Sequence, residues 1–178
     1  MNPATAQVIL ALGGNLGDRP STLDQALSYI RKLPGTELLA ISDTYETTAV
    51  SLIHQPDYLN LCLAVQTTLS PQKLLAACLA IESNLGRIRN ERNGPRTCDI
   101  DLLFFGKQTL HESALTLPHP RWASRGFVVF PLRSLLQRQP LANCPEWDWL
   151  RTEASQITLS ADGLRLWTGP TPWMNQKT

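Results

Sequence analysis

The sequence predicts an α+β fold: a ferredoxin-like β-α-β-β-α-β sheet with helices packed on it, plus a C-terminal hairpin extension. Three observations carry this. Apolar runs of strand length alternate along the chain with amphipathic runs of helix length. Two strand-like runs stand together in the middle with no helix between them, which is the split βαβ order. Near the C-terminus, Asp162-Gly163 sits between two short alternating runs, a hairpin signal. At 178 residues the chain suits one domain with a substantial core. That core is expected over about 7–137, with a Trp-rich extension over 138–178.

Each element has its own signal. Gln7 to Gly13 reads as a buried strand, and Gly13 to Gly17 as a turn. Asp18 or Ser21 can cap a helix running to about Lys32, whose apolar stripe is Leu23, Ala26, Leu27 and Ile30. Pro34-Gly35 ends it, and Glu37 to Tyr45 is a second strand. Thr48 to Pro56 is a polar loop, and Tyr58 to Thr67 alternates as a third strand. Ser70-Pro71 starts a helix with Ser as cap and Pro in the first turn. Leu74, Cys78, Ile81 and Leu85 form one face of that helix, which stops at Gly86. Cys98 to Phe105 is a fourth strand, and Gly126 to Gln137 holds a short helix. Gln156 to Ser160 and Leu164 to Trp167 would be the arms of the hairpin. Trp147, Trp149, Trp167 and Trp173 crowd this region, either as a partner-binding patch or as packing of a peripheral hairpin onto the core.

Composition excludes some functions. A net charge of +1 gives no global electrostatic grip on nucleic acid. A ferredoxin-like sheet can bind RNA through aromatic residues on its face, but the aromatic set this needs on a central strand is missing. Cys62, Cys78, Cys98 and Cys144 show no C-x-x-C and no zinc spacing, and read as reduced core thiols of a cytoplasmic protein. The apolar run Val8 to Leu12 is too short for a signal peptide or a membrane span. Neither nucleic acid nor membrane is expected as a partner, and the chain is expected to act as a monomer.

The most telling stretch is Arg92-Asn93-Gly94-Pro95-Arg96-Thr97-Cys98-Asp99-Ile100-Asp101-Leu102-Leu103. On a strand, Asp99 and Asp101 project the same way while Cys98, Ile100 and Leu102 face the core. Adjacent carboxylates repel unless something positive lies between them. Mg²⁺ answers that need, because it takes oxygen ligands and shares them with substrate phosphates. Arg87, Arg89, Arg92 and Arg96 lie just before the pair, and arginine forks onto phosphate oxygens. Together these residues suit phosphoryl transfer. Taken alone, the D-x-D is open to a polar strand face or a metal-dependent glycosyltransferase, and the arginines to a solvated surface. Elsewhere, Tyr58 and Asn60 share a strand face, an aromatic plane beside a carboxamide that suits a flat, hydrogen-bonding heterocycle.

The segment resembles the signature of the 6-hydroxymethyl-7,8-dihydropterin pyrophosphokinases, a folate-pathway family, R-W-G-P-R-T-x-D-x-D. Leu12-Gly13-Gly14-Asn15-Leu16-Gly17-Asp18 is similar to the family's opening G-S-N-L-G-D. Tyr45-Glu46-Thr47 and Gln55-Pro56-Asp57-Tyr58-Leu59-Asn60 resemble its Y-x-T and Q-P-x-(Y/F)-x-N. Ile81-Glu82 with Leu85-Gly86-Arg87-Ile88-Arg89 resembles I-E-x-x-x-G-R-x-R, and Leu117 to Arg121 and Arg125 to Phe127 resemble L-P-H-P-R and R-x-F. The likeness spans about Val8 to Leu136.

The resemblance implies Mg²⁺-dependent transfer of diphosphate from ATP to the pterin hydroxymethyl group, with release of AMP. It implies two Mg²⁺ ions on Asp99 and Asp101, and Arg87 and Arg96 as catalytic arginines. It gives Glu82, Arg89, Arg92, Leu102, Thr116, His119 and Arg125 to the nucleotide. It gives Thr47, Val50, Tyr58, Asn60 and Phe127 to the pterin, with Tyr58 and Phe127 sandwiching the ring. The Gly13 to Gly17 turn would shape the pterin wall. Two positions depart from the family pattern: Asn93 replaces an aromatic residue before Gly-Pro, and Thr48-Ala49 replaces a proline-containing pair after Thr47.

Overall fold

The structure, a computed structural model, describes residues 5–49, 55–87 and 94–175. Strand β1 (Ala6–Gly14) leads into helix α1 (Arg19–Arg31), then β2 (Thr36–Ile41), β3 (Tyr45–Thr47) and β4 (Tyr58–Thr67). Helix α2 (Pro71–Asn84) and strand β5 (Asp99–Phe105) follow. Beyond them come the short pair β6 (Leu110–His111) and β7 (Thr116–Leu117), helices α3 (Gly126–Leu136) and α4 (Asp148–Gln156), and strand β8 (Leu164–Leu166). The main sheet is antiparallel with strand order β5-β1-β4-β3-β8, and β2 joins β4 beside β3. With β2 and β3 counted as one edge beside β4, this is the expected β-α-β-β-α-β order.

The caps explain the helix boundaries. Asp18 Oδ1 accepts from Ser21 N, and Ser70 Oγ from Lys73 N, each with proline in the first turn. Alternation along the strands divides the core in two. Val8, Leu10, Leu12, Leu59, Leu61, Leu63, Ile100 and Leu102 pack against α1 and α2. Ile9, Cys62, Ala64 and Leu103 face α3 and α4. Helices therefore lie on both faces of the sheet, which leaves no open aromatic face of the kind that binds RNA.

Two expectations change. The run from Glu37 to Tyr45 is not one strand but β2 and β3, both on the same edge of β4. Ser42 causes the break. Its Oγ accepts from Cys62 N at 2.9 Å and donates to Asp43 O at 2.6 Å, while Asp43 N turns to Ser134 Oγ. The C-terminal hairpin does not form. Its first arm is held elsewhere, because Gln156 ends α4 and Arg133 binds the carbonyls of Ala154 and Ile157. The second arm, β8, pairs instead with β3, matching Tyr45 with Leu166 and Thr47 with Leu164, and so covers an otherwise bare edge.

The tryptophans are packing residues. Trp147 is fully buried, donates to Gln7 Oε1 at 2.7 Å and sits edge-on to Phe104. Trp173 is 1% exposed and belongs to the α1–α2 core. Trp173→Ala is therefore expected to cost about 3–5 kcal/mol of folding stability. Urea unfolding of the two forms checks this, and a loss below 1 kcal/mol would mean the tail is not part of the core.

Candidate active site

The site lies at one end of the sheet, on the α3 side. Strand register sets its cross-section. Gly13 of β1 stands between Asp99 of β5 and Asn60 of β4, and Ala11 stands between Asp101 and Cys62. Alternation places Asp99, Asp101, Tyr58 and Asn60 on this one face. The central strand offers almost no side chain there, so a trough runs between the carboxylates and the Tyr58–Asn60 pair. A Cβ on Gly13 would lie 2.6 Å from Asn60 Oδ1. The resulting cleft has a volume of about 1330 Å³.

Arginines neutralise the carboxylate side. Asp99 accepts from Arg87 through Oδ1 and from Arg96 Nη1 at 2.6 Å through Oδ2. Asp101 accepts from Arg125 Nη1 at 3.2 Å. The two carboxylates are thus not a repulsive pair, as their spacing alone suggested. Glu82 also differs from a solvent-facing helix residue. It is 2% exposed; its Oε1 accepts from Ile100 N at 2.7 Å and pairs with Arg87 Nη1 at 2.5 Å. It ties α2 to the start of β5 and orients Arg87. Burial, aided by Glu82, pushes the nearby Cys98 and Cys78 thiols up to about 12, so both are neutral core groups.

The pterin-side candidates form a second group. Asn60 Nδ2 donates to Thr47 Oγ1 at 2.8 Å. The Tyr58 hydroxyl lies 3.2 Å from both Gln55 Oε1 and Gly94 O, and the Arg96 guanidinium lies 5.7 Å from the centre of the Tyr58 ring. Phe127, at the first turn of α3, is 41% exposed and carries the Arg125 guanidinium over its ring. The main-chain N–H of His119 donates to Leu103 O, and its ring Nδ1 accepts from Arg121 N at 3.1 Å. Burial holds its imidazole below the ordinary value, against the pull of Asp101, with Arg125 and Arg121 adding to the effect. With Nδ1 accepting, a single ring proton lies on Nε2.

The glycine turn after β1 joins these parts rather than cradling phosphate. Asn15 Nδ2 donates to Gln55 Oε1 and Pro56 O, its Oδ1 accepts from Arg96 N, and its own N–H reaches Arg96 O. A side chain at Gly14 would collide with Thr97 O. One buried carboxamide therefore fixes both the loop before Tyr58 and the segment carrying Arg96.

Thr47, Tyr58, Asn60, Glu82, Arg87, Arg96, Asp99, Asp101, Leu102, Thr116, His119, Arg125 and Phe127 all line the cleft. Val50, Arg89, Arg92 and Asn93 lie outside the described residues. Sequence reasoning missed Leu75, Leu79 and Arg121, which also line it. The signal for the two leucines was present: with Glu82 they form a second i, i+4, i+7 stripe on α2, and Leu79 is exposed. Among the described residues no third acidic, histidine or cysteine group completes a metal cage with Asp99 and Asp101. Two carboxylates facing a cleft rich in arginine fit Mg²⁺, which takes its remaining oxygens from water and substrate phosphates.

The family model of 7,8-dihydro-6-hydroxymethylpterin-pyrophosphokinase (HPPK) matches residues 9–137. The chain belongs to the HPPK family. Its curated relatives include the 2-amino-4-hydroxy-6-hydroxymethyldihydropteridine pyrophosphokinase of Bacillus subtilis, 34% identical over 158 residues, 89% of this chain and 88% of that one. The same-named protein of Pseudomonas aeruginosa is 40% identical over 129 residues, 72% of this chain and 80% of that one. Among solved structures, Plasmodium falciparum HPPK-DHPS with pterin and p-hydroxybenzoate shares the fold at a TM-score of 0.59 and 16% identity. The match covers 92% of this chain and 45% of that one, so the chain spans about half the length of the Plasmodium protein.

In this HPPK-family chain Asp99 holds two arginines and Asp101 one. Asp99→Asn should therefore cost about 1–2 kcal/mol of stability without ligands, and Asp101→Asn less than about 1 kcal/mol. Thermal or urea unfolding gives the order. A stabilised Asp99→Asn protein would mean that repulsion between the carboxylates outweighs their arginine bonds.

Proposed function

We propose that the chain transfers the diphosphate group of ATP to the hydroxymethyl group of 6-hydroxymethyl-7,8-dihydropterin, releasing AMP, as a step in tetrahydrofolate biosynthesis. The observation that carries this reading is the single sheet face on which Asp99 and Asp101 lie across a nearly bare strand from Tyr58 and Asn60. A phosphate-and-metal side and a flat-ring side are thus held a strand or two apart. Family membership supplies the chemistry that fits the two sides.

In this reading the pterin lies between Tyr58 and Phe127. Asn60 and the main chain around Thr47 and Val50 bond its edge. The nucleotide follows the wall made by Glu82, Leu102, Thr116, His119 and Arg125, with Arg89 and Arg92 as further clamps. Two Mg²⁺ ions, held by Asp99 and Asp101 together with phosphate oxygens, would offset the charge of the transferring group. The hydroxymethyl oxygen bonds to the β-phosphorus and gives up its proton to water, the bond from that phosphorus to the α,β-bridging oxygen breaks, and AMP leaves with the bridging oxygen. Arg87 and Arg96 donate to the phosphate oxygens as charge builds, and Arg125 and His119 hold the nucleotide phosphates. Positioning and electrostatics supply most of the rate, since phosphoryl transfer leaves the protein little covalent chemistry. The acting unit in this reading is a monomer. The compartment we assign is the cytoplasm, in keeping with the free, mostly buried cysteines.

The direct test is incubation with ATP, Mg²⁺ and the hydroxymethyl dihydropterin, following AMP. Stoichiometric AMP and pterin diphosphate are expected. Nucleotide binding without AMP would instead indicate a pterin-binding relative with no transferase activity. Tyr58→Ala should weaken pterin binding by about 1–3 kcal/mol and leave nucleotide affinity unchanged in separate calorimetric titrations. Equal losses for both ligands would make Tyr58 a core residue only.

A further inference from the structure

The segment 160–167 lies outside the stretch that the family model matches, yet it touches both walls of the ring side of the cleft. On one wall, β8 pairs with β3 so that Arg165 stands opposite Glu46 and Leu164 opposite Thr47. Thr48 N donates to Gly163 O at 2.8 Å, and Trp167 N to Thr44 O at 2.9 Å. The strand that carries Thr47 is therefore bonded to this segment at both ends. On the other wall, Ser160 O and Leu164 Cδ1 lie 3.7 and 3.9 Å from where a Cβ would sit on Gly126, between Arg125 and Phe127 at the first turn of α3.

Arg165 adds a charged tie. Its Nη2 lies 2.7 Å from Glu46 Oε2 and 2.9 Å from Asp57 Oδ2. Glu46 immediately precedes Thr47, and Asp57 immediately precedes Tyr58. Arg19 completes the network from α1: its Nη1 lies 2.7 Å from Glu46 Oε1 and 2.7 Å from Asp57 O, and its guanidinium lies over the Trp167 ring. The two carboxylates would repel if left alone. Two arginines between them lock β3 to the start of β4, the two backbone pieces from which Thr47, Tyr58 and Asn60 project.

We propose that segment 160–167 is a strap that sets the width of the ring subsite, with Arg165 as a positioning residue for Thr47 and Tyr58 that does not itself touch the substrate. The proposal rests on the pterin reading of that subsite. Arg165 is more than half exposed, so its removal leaves the core intact. What it changes is the spacing and order of two backbone pieces on one side of the cleft. The carboxylate side, built on β5, α2 and Arg96, has no bond to the strap among those described.

The test is separate calorimetric titration of the pterin substrate and of a non-hydrolysable ATP analogue with Mg²⁺, on the full chain, for wild type, Arg165→Ala and Arg165→Lys. Arg165→Ala is expected to weaken pterin binding by about fivefold, the scale of a networked ion pair. Nucleotide affinity and single-turnover rate at saturating pterin should stay at the wild-type level. Arg165→Lys should recover part of the loss, because an ammonium still reaches one carboxylate. Gly163→Val is a second probe, since a side chain there would press on Thr48 at 3.1 Å from a backbone with φ of +68°; it too should weaken the pterin alone. Unchanged pterin affinity in both variants, or equal loss for both ligands, overturns the strap while leaving the functional reading standing. A wild-type protein that binds nucleotide but no pterin overturns the functional reading and the strap's role with it.

Discussion

The site depends on one strand having almost nothing to show on one face. β1 runs between β4 and β5 in antiparallel register, and on the α3 side its last turns of pleat carry only Ala11 and Gly13. Side chains alternate, so the opposite face of the same strand can remain fully apolar with Val8, Leu10 and Leu12. The strand thus anchors the core on one side and forms the floor of a cleft on the other. A one-residue slip would turn leucines into the cleft and the small residues into the core. The long pairing with β4, from Ala6 with Thr67 to Gly14 with Leu59, guards against this.

Charge is arranged around that floor with little left uncompensated. Arg87 bridges Glu82 and Asp99, Arg96 shares Asp99, and Arg125 takes Asp101. On the far side Arg19 and Arg165 enclose Glu46 and Asp57. The first group faces the cleft, where an incoming anion and cation can exchange partners with it; the second is behind the ring wall and has only a structural partner to hold. Asn15 connects the two regions through hydrogen bonds rather than charge. The same residue types therefore serve different ends according to which face of the sheet they reach.

Much of this was legible in the sequence, and the failures have local causes. Tyr58 to Thr67 alternates cleanly and forms a strand over those residues. The i, i+2 spacing of Asp99 and Asp101 did place both on one face. The break between β2 and β3 was hidden because Ser42-Asp43-Thr44 carries no glycine or proline to mark a turn, while the Ser42 hydroxyl replaces a ladder bond. β8 was read with its neighbour in sequence, since the edge it pairs with lies more than a hundred residues earlier and leaves no local trace. Its place on α2 alone left Glu82 open to a solvent-facing role beside the nucleotide role that the resemblance implies, because its partners, Ile100 N and Arg87, lie beyond its own helix. Asn15 was part of a recognised turn, but its clamp joins three separate segments that only the fold brings together.

The central claim is that the bare floor at Gly13 lets Asn60 face a bound ring while the carboxylate side works independently. Gly13→Ala tests it most directly. The new methyl would lie 2.6 Å from Asn60 Oδ1, so Asn60 must turn away and give up its bond to Thr47 Oγ1. Separate titrations with the pterin substrate and with an ATP analogue plus Mg²⁺ should show pterin affinity reduced about tenfold, the scale of one well-placed hydrogen bond, and nucleotide affinity unchanged. Wild-type pterin binding by Gly13→Ala, or a parallel loss of both ligands, would contradict the division of the cleft across β1.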